Sequence, residues 1–401
     1  MPGREKILIF TIPNQGHLNI LKRLIRTYRT EHLFRLVLVD RHHSAPDLGD
    51  LADLTVTLNG AQRFLNTPAS RVFHRVYELL DECIAAARDF DPDLIIYDFC
   101  AVEGHFTARC TGVPCWSSIP GFMGPLTDRD YLDACLSSPT NRRAINAIEH
   151  RYGIGVPRYE VEVISNSLHI PAELNLLWSY PAVTPANFLT GRKAARYRFT
   201  GYLSDGHSRP ARRLGKPLIY LSFGTEVMDN LWHGDPITRE GVRKCVSALA
   251  ELWQPGYAEV VFPTLGRTVL PSYPPNWSVP EYVDQQWALS KADVFVTHGG
   301  SNSFHEALLS RVPMVVTPFF GDQPSVAERV EQLGVGVNLN AGAQVDRTSP
   351  RQFLDRNYIE AIAGAVDRLL TDDTYRESLD GLRLDALPAL TELEPLPSLA
   401  R

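Results

Sequence analysis

Residues 293 to 323 contain a strand, a glycine turn, a helix start and a second strand, in that order. Asp293 to Thr297 is short, apolar and β-branched, which predicts a buried strand. His298-Gly299-Gly300 ends that strand, and Ser301-Asn302 are residue types that start helices. Val312 to Thr317 predicts the next buried strand. A strand–helix–strand unit of this kind indicates an α/β fold with a parallel sheet.

The glycine turn predicts an anion-binding site. A helix start leaves backbone N–H groups directed at one spot, and the helix dipole adds about half a positive charge there. Gly299 and Gly300 let the backbone approach closely, and His298 adds a proton donor. Asp322 and Gln323, on the loop after the second strand, offer groups that bind hydroxyls. Phosphate at one end and a polyol at the other indicate a nucleotide sugar, whereas a structural glycine pair is the simpler alternative.

Two runs of alternating strands and helices predict two domains. The first run begins with the apolar strand at Lys6, and the second begins with the strand at Pro217. The chain of 401 residues is long enough for two ordinary domains. Alternation of strands with helices predicts parallel sheets with both faces covered. The predicted parts are listed in chain order: a domain at 1–205, a linker at 206–216, a domain at 217–375 and a final helix at 376–401.

Composition excludes several classes of function. The formal net charge of −6 argues against a broad nucleic-acid footprint. Six scattered cysteines without a CxxC pair show no disulfide or zinc spacing, which is typical of reduced cytosolic thiols. The N-terminus enters a strand directly, so we expect no secretory signal and a cytoplasmic protein. No apolar run approaches the length of a membrane span.

His17 and Asp98 form a second candidate site. His17 lies at the turn between the first strand and the first helix, and Asp98 follows the carboxyl end of a later strand. Both positions face the crevice at the strand ends of an open parallel sheet, where ligands bind. A helix N-terminus disfavours the imidazolium, which suits His17 to act as a general base with Asp98 fixing its tautomer. Each residue alone is more often a helix cap.

Three groups of residues together resemble the GT-B glycosyltransferases that use nucleotide sugars, including the UDP-glycosyltransferases and the macrolide-type antibiotic enzymes. The βαβ unit carries His298, Gly299, Gly300, Glu306, Pro313, Asp322 and Gln323. Gly16-His17-Leu18-Asn19 is similar to the Gly-His-x-Asn motif of the family, and Asp93 to Asp98 resembles the strand with the Asp that orients its His. Ile20 departs from the Pro of many relatives. The resemblance implies two Rossmann-like βαβ domains facing across a cleft, with the last helix packing back on the first domain.

The resemblance also implies roles for the residues of the donor site. Tyr282-Val283-Asp284-Gln285 resembles the Trp-x-Pro-Gln element that holds the nucleobase, and its Tyr and Asp leave the base open. A hexose, glucose above all, is the sugar implied by the Asp-Gln pair. The implied sets are these: for the diphosphate, Ser222, Gly224, Thr225, His298, Gly300, Ser301 and Asn302; for the nucleoside, Tyr282, Val283, Gln285 and Glu306; for the sugar, Asp322 and Gln323.

The implied activity is inverting, metal-independent transfer of a hexose from a UDP- or TDP-sugar to a hydroxyl of a hydrophobic small molecule. No cofactor beyond this co-substrate is implied, and the protein is expected to be a monomer or homodimer. Two Asp-x-Asp strings, at Asp91 and Asp128, are not placed like a metal site and are interpreted as surface carboxylates. The alternatives are a GT-B sugar-nucleotide epimerase or phosphorylase and a non-catalytic nucleotide-sugar-binding helper protein.

Overall fold

The computed structural model describes residues 4–42, 45–65, 67–121, 129–164, 167–203, 215–343 and 350–384. These residues form two compact units: unit 1 ends at Leu203 and unit 2 ends at Leu384. Most of the predicted linker 206–216 lies outside the described residues, as does most of the predicted final helix 376–401. The predicted domain boundaries therefore stay a prediction.

Unit 1 is built on a seven-stranded parallel sheet in the order β3-β2-β1-β4-β5-β8-β9. A separate antiparallel pair, β6 and β7, accompanies it. The strands are β1 (Lys6–Thr11), β2 (Leu33–Leu38), β3 (Thr55–Thr57), β4 (Leu94–Asp98), β5 (Cys115–Ile119), β6 (Glu162–Ile164), β7 (Ser167–His169), β8 (Leu174–Leu177) and β9 (Tyr197–Phe199). The order reverses between β1 and β4, and ligands bind at such a switch point in open α/β sheets.

The helices of unit 1 follow apolar stripes that face the sheet. Val76 and Leu80 on the second helix, predicted to lie on one buried stripe, are fully buried. The helices are α1 (Gln15–Tyr28), α2 (Val72–Phe90), α3 (Glu103–Thr111), α4 (Arg129–Ser137) and α5 (Pro139–Tyr152), with 3₁₀ turns at Gly49–Leu54, Gly60–Arg63, Ala69–Arg71 and Ala194–Arg196.

One expectation for unit 1 is wrong. The polar sequence of 128–152 predicts one helix at a surface, but the described part is two helices that separate at Ser138. Ser138 accepts the backbone N–H of Asn141 as an N-cap, and Pro139 takes the first helical position, so a new helix starts there. The sequence of 121–200 predicts a less regular stretch than the rest of the unit, and within it the short strands β8 and β9 complete the main sheet.

Unit 2 repeats the architecture with a six-stranded parallel sheet in the order β12-β11-β10-β13-β14-β15. Its order reverses between β10 and β13, which makes their carboxyl ends the expected ligand site of this unit. The strands are β10 (Leu218–Ser222), β11 (Glu259–Val261), β12 (Trp277–Ser278), β13 (Val294–Thr297), β14 (Met314–Val316) and β15 (Gly336–Asn338).

The helices of unit 2 alternate with its strands along the chain, as the sequence predicts. The first two are short and are joined by a π-helical segment, Val227–Leu231. The helices are α6 (Gly224–Glu226), α7 (Trp232–Gly234), α8 (Pro236–Leu252), α9 (Gln285–Lys291), α10 (Ser301–Leu309), α11 (Gln323–Gln332), α12 (Arg356–Thr371) and α13 (Thr374–Gly381), with a 3₁₀ turn at Pro350–Leu354. Within the described ranges, none of the helices of either unit has the length and apolar character that crossing a membrane requires.

Candidate active site

The structure brings His17 and Asp98 into direct contact in unit 1. His17 lies in the first turn of α1, which begins where the Asn14 side chain accepts the N–H of Gly16. Asp98 is the last residue of β4, next to β1 in the sheet. The His17 Nδ1–H donates to Asp98 Oδ2 over 2.7 Å. The Asp98 side chain is 1% exposed and the His17 side chain 16%, so the carboxylate is buried behind a reachable imidazole.

The Asp98 carboxylate is held from its other side by the turn that follows β4. Its Oδ1 accepts the backbone N–H of Cys100 over 2.9 Å. Phe99, the residue between them, stacks on the His17 ring with 5.3 Å between ring centroids. The carbonyl of Cys100 accepts from Arg75 Nη2 over 2.6 Å. Phe99 and Arg75 were not identified from the sequence, because nothing in the pattern shows which residues contact this turn.

The glycine turn of unit 2 has the backbone form that the sequence predicts. Gly299 has φ +85°, a left-handed conformation that favours glycine, and a Cβ there would lie 2.6 Å from Val316 Cγ1. Gly300 is the N-cap of α10 and has extended backbone angles. Ser301 and Asn302 are therefore the first two residues of a helix, at the positive end of its dipole. Such a helix start is suited to bind an anion.

Two glycines from different loops enclose the His298 ring. A Cβ on Gly224, in the loop after β10, would lie 2.2 Å from His298 Cε1, and a Cβ on Gly300 would lie 2.5 Å from His298 Nε2. Ser222 ends β10 and accepts the Gly224 N–H over 3.3 Å, whereas Thr225 is exposed at the start of α6. Burial lowers the pKa of His298 to about 4, so the ring is neutral at pH 7 and carries one N–H donor.

Gln285 and Glu306, both assigned to the nucleoside, are bonded to each other. Gln285 Nε2 donates to Glu306 Oε2 over 2.7 Å and to Ser303 Oγ over 3.2 Å. Tyr220 OH donates to Gln285 Oε1 over 3.2 Å. Glu306 is 4% exposed, so it is not simply a solvated carboxylate on a helix surface. Sequence reasoning missed Ser303 and Tyr220; the spacing of Ser303 and Glu306 on one helix face was the available signal.

The segment 282–285 departs from the motif it resembles, and the structure explains one departure. Asp284 caps α9, because its carboxylate accepts the N–H groups of Gln286 and Trp287. The helix therefore starts at Gln285, two residues before Trp287, where the sequence predicts a short helix to begin. Tyr282 is 68% exposed and Val283 half-buried, and each stays a candidate for the nucleobase.

The two residues assigned to the sugar lie at the start of α11. Asp322 is the half-buried N-cap residue of that helix. Gln323 is 4% exposed, and its Oε1 accepts the N–H groups of Phe319 and Phe320 over 2.7 and 3.1 Å. Gln323 also packs against the glycine turn, since a Cβ on Gly299 would lie 3.7 Å from its Cβ. The side-chain oxygen of Gln323 thus stabilises the loop before α11, and its side-chain nitrogen is a hydrogen-bond donor.

The structure describes three of the four aspartates in the two Asp-x-Asp strings. Asp91 ends α2 in a left-handed conformation, and Asp93 accepts the backbone N–H of Lys6 over 2.8 Å. Asp130 is exposed on α4, and Asp128 lies outside the described residues. Among the described ranges, one cluster of three side chains has metal-ligand chemistry: His17, Asp98 and Cys100, whose ligand atoms lie within 4.8 Å of one another.

The known proteins that this chain resembles in sequence are glycosyltransferases. Residues 282–384 match the family described as "UDP-glucoronosyl and UDP-glucosyl transferase". NDP-glycosyltransferase YjiC of Bacillus subtilis is 29% identical over 63% of this chain and 61% of its own length, and that of Bacillus licheniformis is 26% identical over 84% and 85%. This chain therefore spans less than two thirds of the Bacillus subtilis relative.

Solved structures extend the likeness to almost the whole fold. The glycotransferase of kitacinnamycin superposes with a TM-score of 0.67 at 24% identity, covering 96% of this chain and 95% of that one. The spinosyn rhamnosyltransferase SpnG, complexed with thymidine diphosphate, gives 0.64 at 19% identity, covering 94% of each chain. Two Rossmann-like α/β units of this kind are the GT-B fold. Within that fold, the match over residues 282–384 relates the second unit to the nucleotide-sugar-dependent UDP-glycosyltransferases.

Proposed function

We propose that the protein is an inverting, metal-independent glycosyltransferase that moves a hexose, glucose above all, from a UDP- or TDP-sugar to a hydroxyl of a hydrophobic small molecule. The observation that carries this proposal is the 2.7 Å contact between His17 and the buried Asp98 at the switch point of unit 1. A donor loop at the switch point of unit 2 supports it. Relatives named NDP-glycosyltransferases and a neighbour complexed with thymidine diphosphate favour a nucleoside diphosphate donor.

His17 is assigned as the general base. Because Nδ1–H donates to Asp98, Nε2 is the nitrogen that takes the proton of the acceptor hydroxyl. Asp98 fixes this tautomer and stabilises the imidazolium that forms, since it is a carboxylate at hydrogen-bonding distance. The deprotonated oxygen then attacks the anomeric carbon from the face opposite to the diphosphate, and one displacement inverts the configuration.

The departing diphosphate is assigned to the start of α10. N–H groups of Ser301 and Asn302 and the helix dipole stabilise its negative charge. The neutral His298 ring donates one further N–H from its place between Gly224 and Gly300. Gln285 and Glu306 bind the nucleoside, with Glu306 accepting from the ribose hydroxyls, and Asp322 with Gln323 binds the sugar hydroxyls. These groups supply the leaving-group stabilisation within the protein itself.

The test is a donor and acceptor screen read by mass spectrometry. UDP-glucose and TDP-glucose are incubated with a panel of hydrophobic hydroxyl compounds, with and without EDTA, and the anomeric configuration of the product is read by NMR. His17→Ala is expected to lower kcat about 10²- to 10⁴-fold, the usual contribution of a general base. Asp98→Asn is expected to lower it as well, because an amide does not stabilise an imidazolium.

The controls separate this proposal from the alternatives. Isomerised nucleotide sugar without acceptor would indicate an epimerase, and donor binding without any product would indicate a helper protein. An unaltered rate in His17→Ala would show that His17 is not the general base. Loss of activity in EDTA would show that the reaction requires a metal ion. His150, exposed at the end of α5, gives a matched control: His150→Ala is expected to keep the wild-type rate.

A further inference from the structure

Cys100 adds a third type of metal ligand to the His17–Asp98 pair. Its Sγ donates to Ser167 Oγ over 3.2 Å, and the residue is half-buried. The imidazole, the carboxylate and the thiol each offer one ligand atom, and these three atoms lie within 4.8 Å of one another. The reaction proposed above uses the first two side chains and leaves the thiol without a role.

We propose that His17, Asp98 and Cys100 form a binding site for a soft divalent cation such as Zn²⁺, and that the bound cation inhibits the enzyme. The binding part stands on the geometry of unit 1 alone. The inhibition part rests on the proposed function, because it requires His17 to be the base. No catalytic part is assigned to the cation, so the site is regulatory.

The ligand set and its spacing suit zinc. Imidazole nitrogen, carboxylate oxygen and thiolate sulfur are the three ligand types of protein zinc sites, and three protein ligands leave one position open. Ligand atoms around a tetrahedral zinc ion are about 3 to 4 Å apart, given bonds of about 2.0 to 2.3 Å. The 4.8 Å span therefore closes with movements of about 1 Å, and the Nδ1–Oδ2 pair opens slightly from 2.7 Å.

Inhibition follows from where the proton goes. The cation takes the place of the proton between His17 Nδ1 and Asp98 Oδ2, and the neutral imidazole then carries its proton on Nε2. That nitrogen no longer accepts a proton from an acceptor hydroxyl. Coordination also deprotonates the Cys100 thiol, whose proton leaves to solvent. The cation thus forms bonds to N, O and S, the Nδ1–H and S–H bonds break, an Nε2–H bond forms, and no oxidant or reductant is involved.

The binding test uses Co²⁺ as a spectroscopic substitute for Zn²⁺. The whole chain is titrated with Co²⁺, and thiolate-to-cobalt charge-transfer absorption is recorded for wild type, Cys100→Ser and Cys110→Ser. Cys110 is a matched control, since it is also half-buried but does not belong to the cluster. We expect the absorption in wild type and Cys110→Ser and its loss in Cys100→Ser. Equal absorption in all three proteins, or none in wild type, would overturn the site.

The inhibition test measures transfer at increasing Zn²⁺, with each variant compared with its own zinc-free rate. Wild type is expected to be inhibited and to recover fully with EDTA. Loss of one ligand is expected to raise the inhibition constant of Cys100→Ser at least about tenfold. Equal inhibition of wild type and Cys100→Ser would refute the inference. Because the cobalt absorption needs no turnover, failure of the proposed transferase activity would be recognised separately from failure of the metal site.

Discussion

Gly300 shows how a single missing Cβ defines the donor loop. Its φ of −63° is open to any residue, so the backbone alone does not require glycine. A Cβ would, however, lie 2.5 Å from His298 Nε2. Gly300→Ala is therefore expected to displace the ring and to raise the donor KM about tenfold or more, with overpacking costing about 1–3 kcal/mol of stability. Steady-state kinetics and thermal melting measure the two effects.

The matched control for that substitution is Gly364→Ala on α12, where a new Cβ meets nothing within 4 Å. This change is expected to leave the donor KM unaltered and to stabilise the helix by about 1 kcal/mol, the difference in helix propensity. A donor KM in Gly300→Ala equal to that of wild type would show that the His298 ring has no part in donor binding.

Glu306 gives a second prediction for a single residue. Its carboxylate is buried and accepts from Gln285 Nε2 over 2.7 Å. Glu306→Gln keeps the volume and removes the charge, and it is expected to raise the donor KM about tenfold, the loss of one charge-assisted hydrogen bond of about 1.5 kcal/mol. The acceptor KM is expected to stay constant. Glu328→Gln, at an exposed position of α11, is the control, and equal donor KM values for both variants would argue against a ribose contact.

Three elements of unit 1 are joined by the buried side chain of Arg75. Arg75 Nε donates to Glu103 on α3 and Nη1 donates to Asp40 after β2, each over 2.7 Å. Its Nη2 donates to the Cys100 carbonyl in the turn that holds Asp98. Arg75→Met is expected to cost about 3–5 kcal/mol, because two buried carboxylates lose their cation.

The comparison for Arg75→Met is Arg88→Met, an exposed position on the same helix. Arg75→Met is expected to lower the melting temperature and to reduce kcat more than it raises the donor KM, whereas Arg88→Met is expected to alter neither. A melting temperature of Arg75→Met equal to that of wild type would contradict the inference that Arg75 holds the three elements together.

Local patterns predicted the long elements well and the short ones poorly. The turn at His298 and the helix after it are predictable because glycines, helix starters and buried β-branched residues all fall together. β8 and β9 have four and three residues, too few for a periodic signal, and only the pairing of β8 with β5 and of β9 with β8 makes them strands. Trp178 is fully buried and donates to Ser118 Oγ, so it belongs to the core.

The candidate site shows the same division between local and distant information. The approach of His17 and Asp98 was expected because both residues lie at the carboxyl ends of strands in a parallel sheet, facing the same crevice. Tyr220 and Arg75 join their sites through contacts between residues far apart in sequence, 65 positions for Tyr220 with Gln285 and 25 for Arg75 with Cys100. Hydrophobic periodicity carries no information about such partners, which depend on how whole helices and strands are placed.

At the scale of the whole chain, buried histidines make stability depend on pH in both units. Burial lowers the pKa of His105 to about 4 and of His169 to about 3 in unit 1, and of His298 and His305 to about 4 in unit 2. The unfolded chain takes up a proton at each histidine near pH 6.5, whereas the folded chain does not. The stabilisation is therefore complete above about pH 6.5 and is lost as the pH falls toward the folded pKa values.

His169, fully buried on β7, has the strongest expected effect, because its pKa is lowered furthest, to about 3. Arg192 and His105 face it and oppose a second positive charge, and the Glu162 carboxylate lies 3.8 Å from its Nδ1. His169→Phe removes the group that protonates on unfolding, so the melting temperature of this variant is expected to fall less than that of wild type between pH 7 and pH 4.5. The exposed His150→Phe is the control, expected to follow wild type. Parallel pH profiles for all three proteins would show that burial of His169 does not set the acid sensitivity.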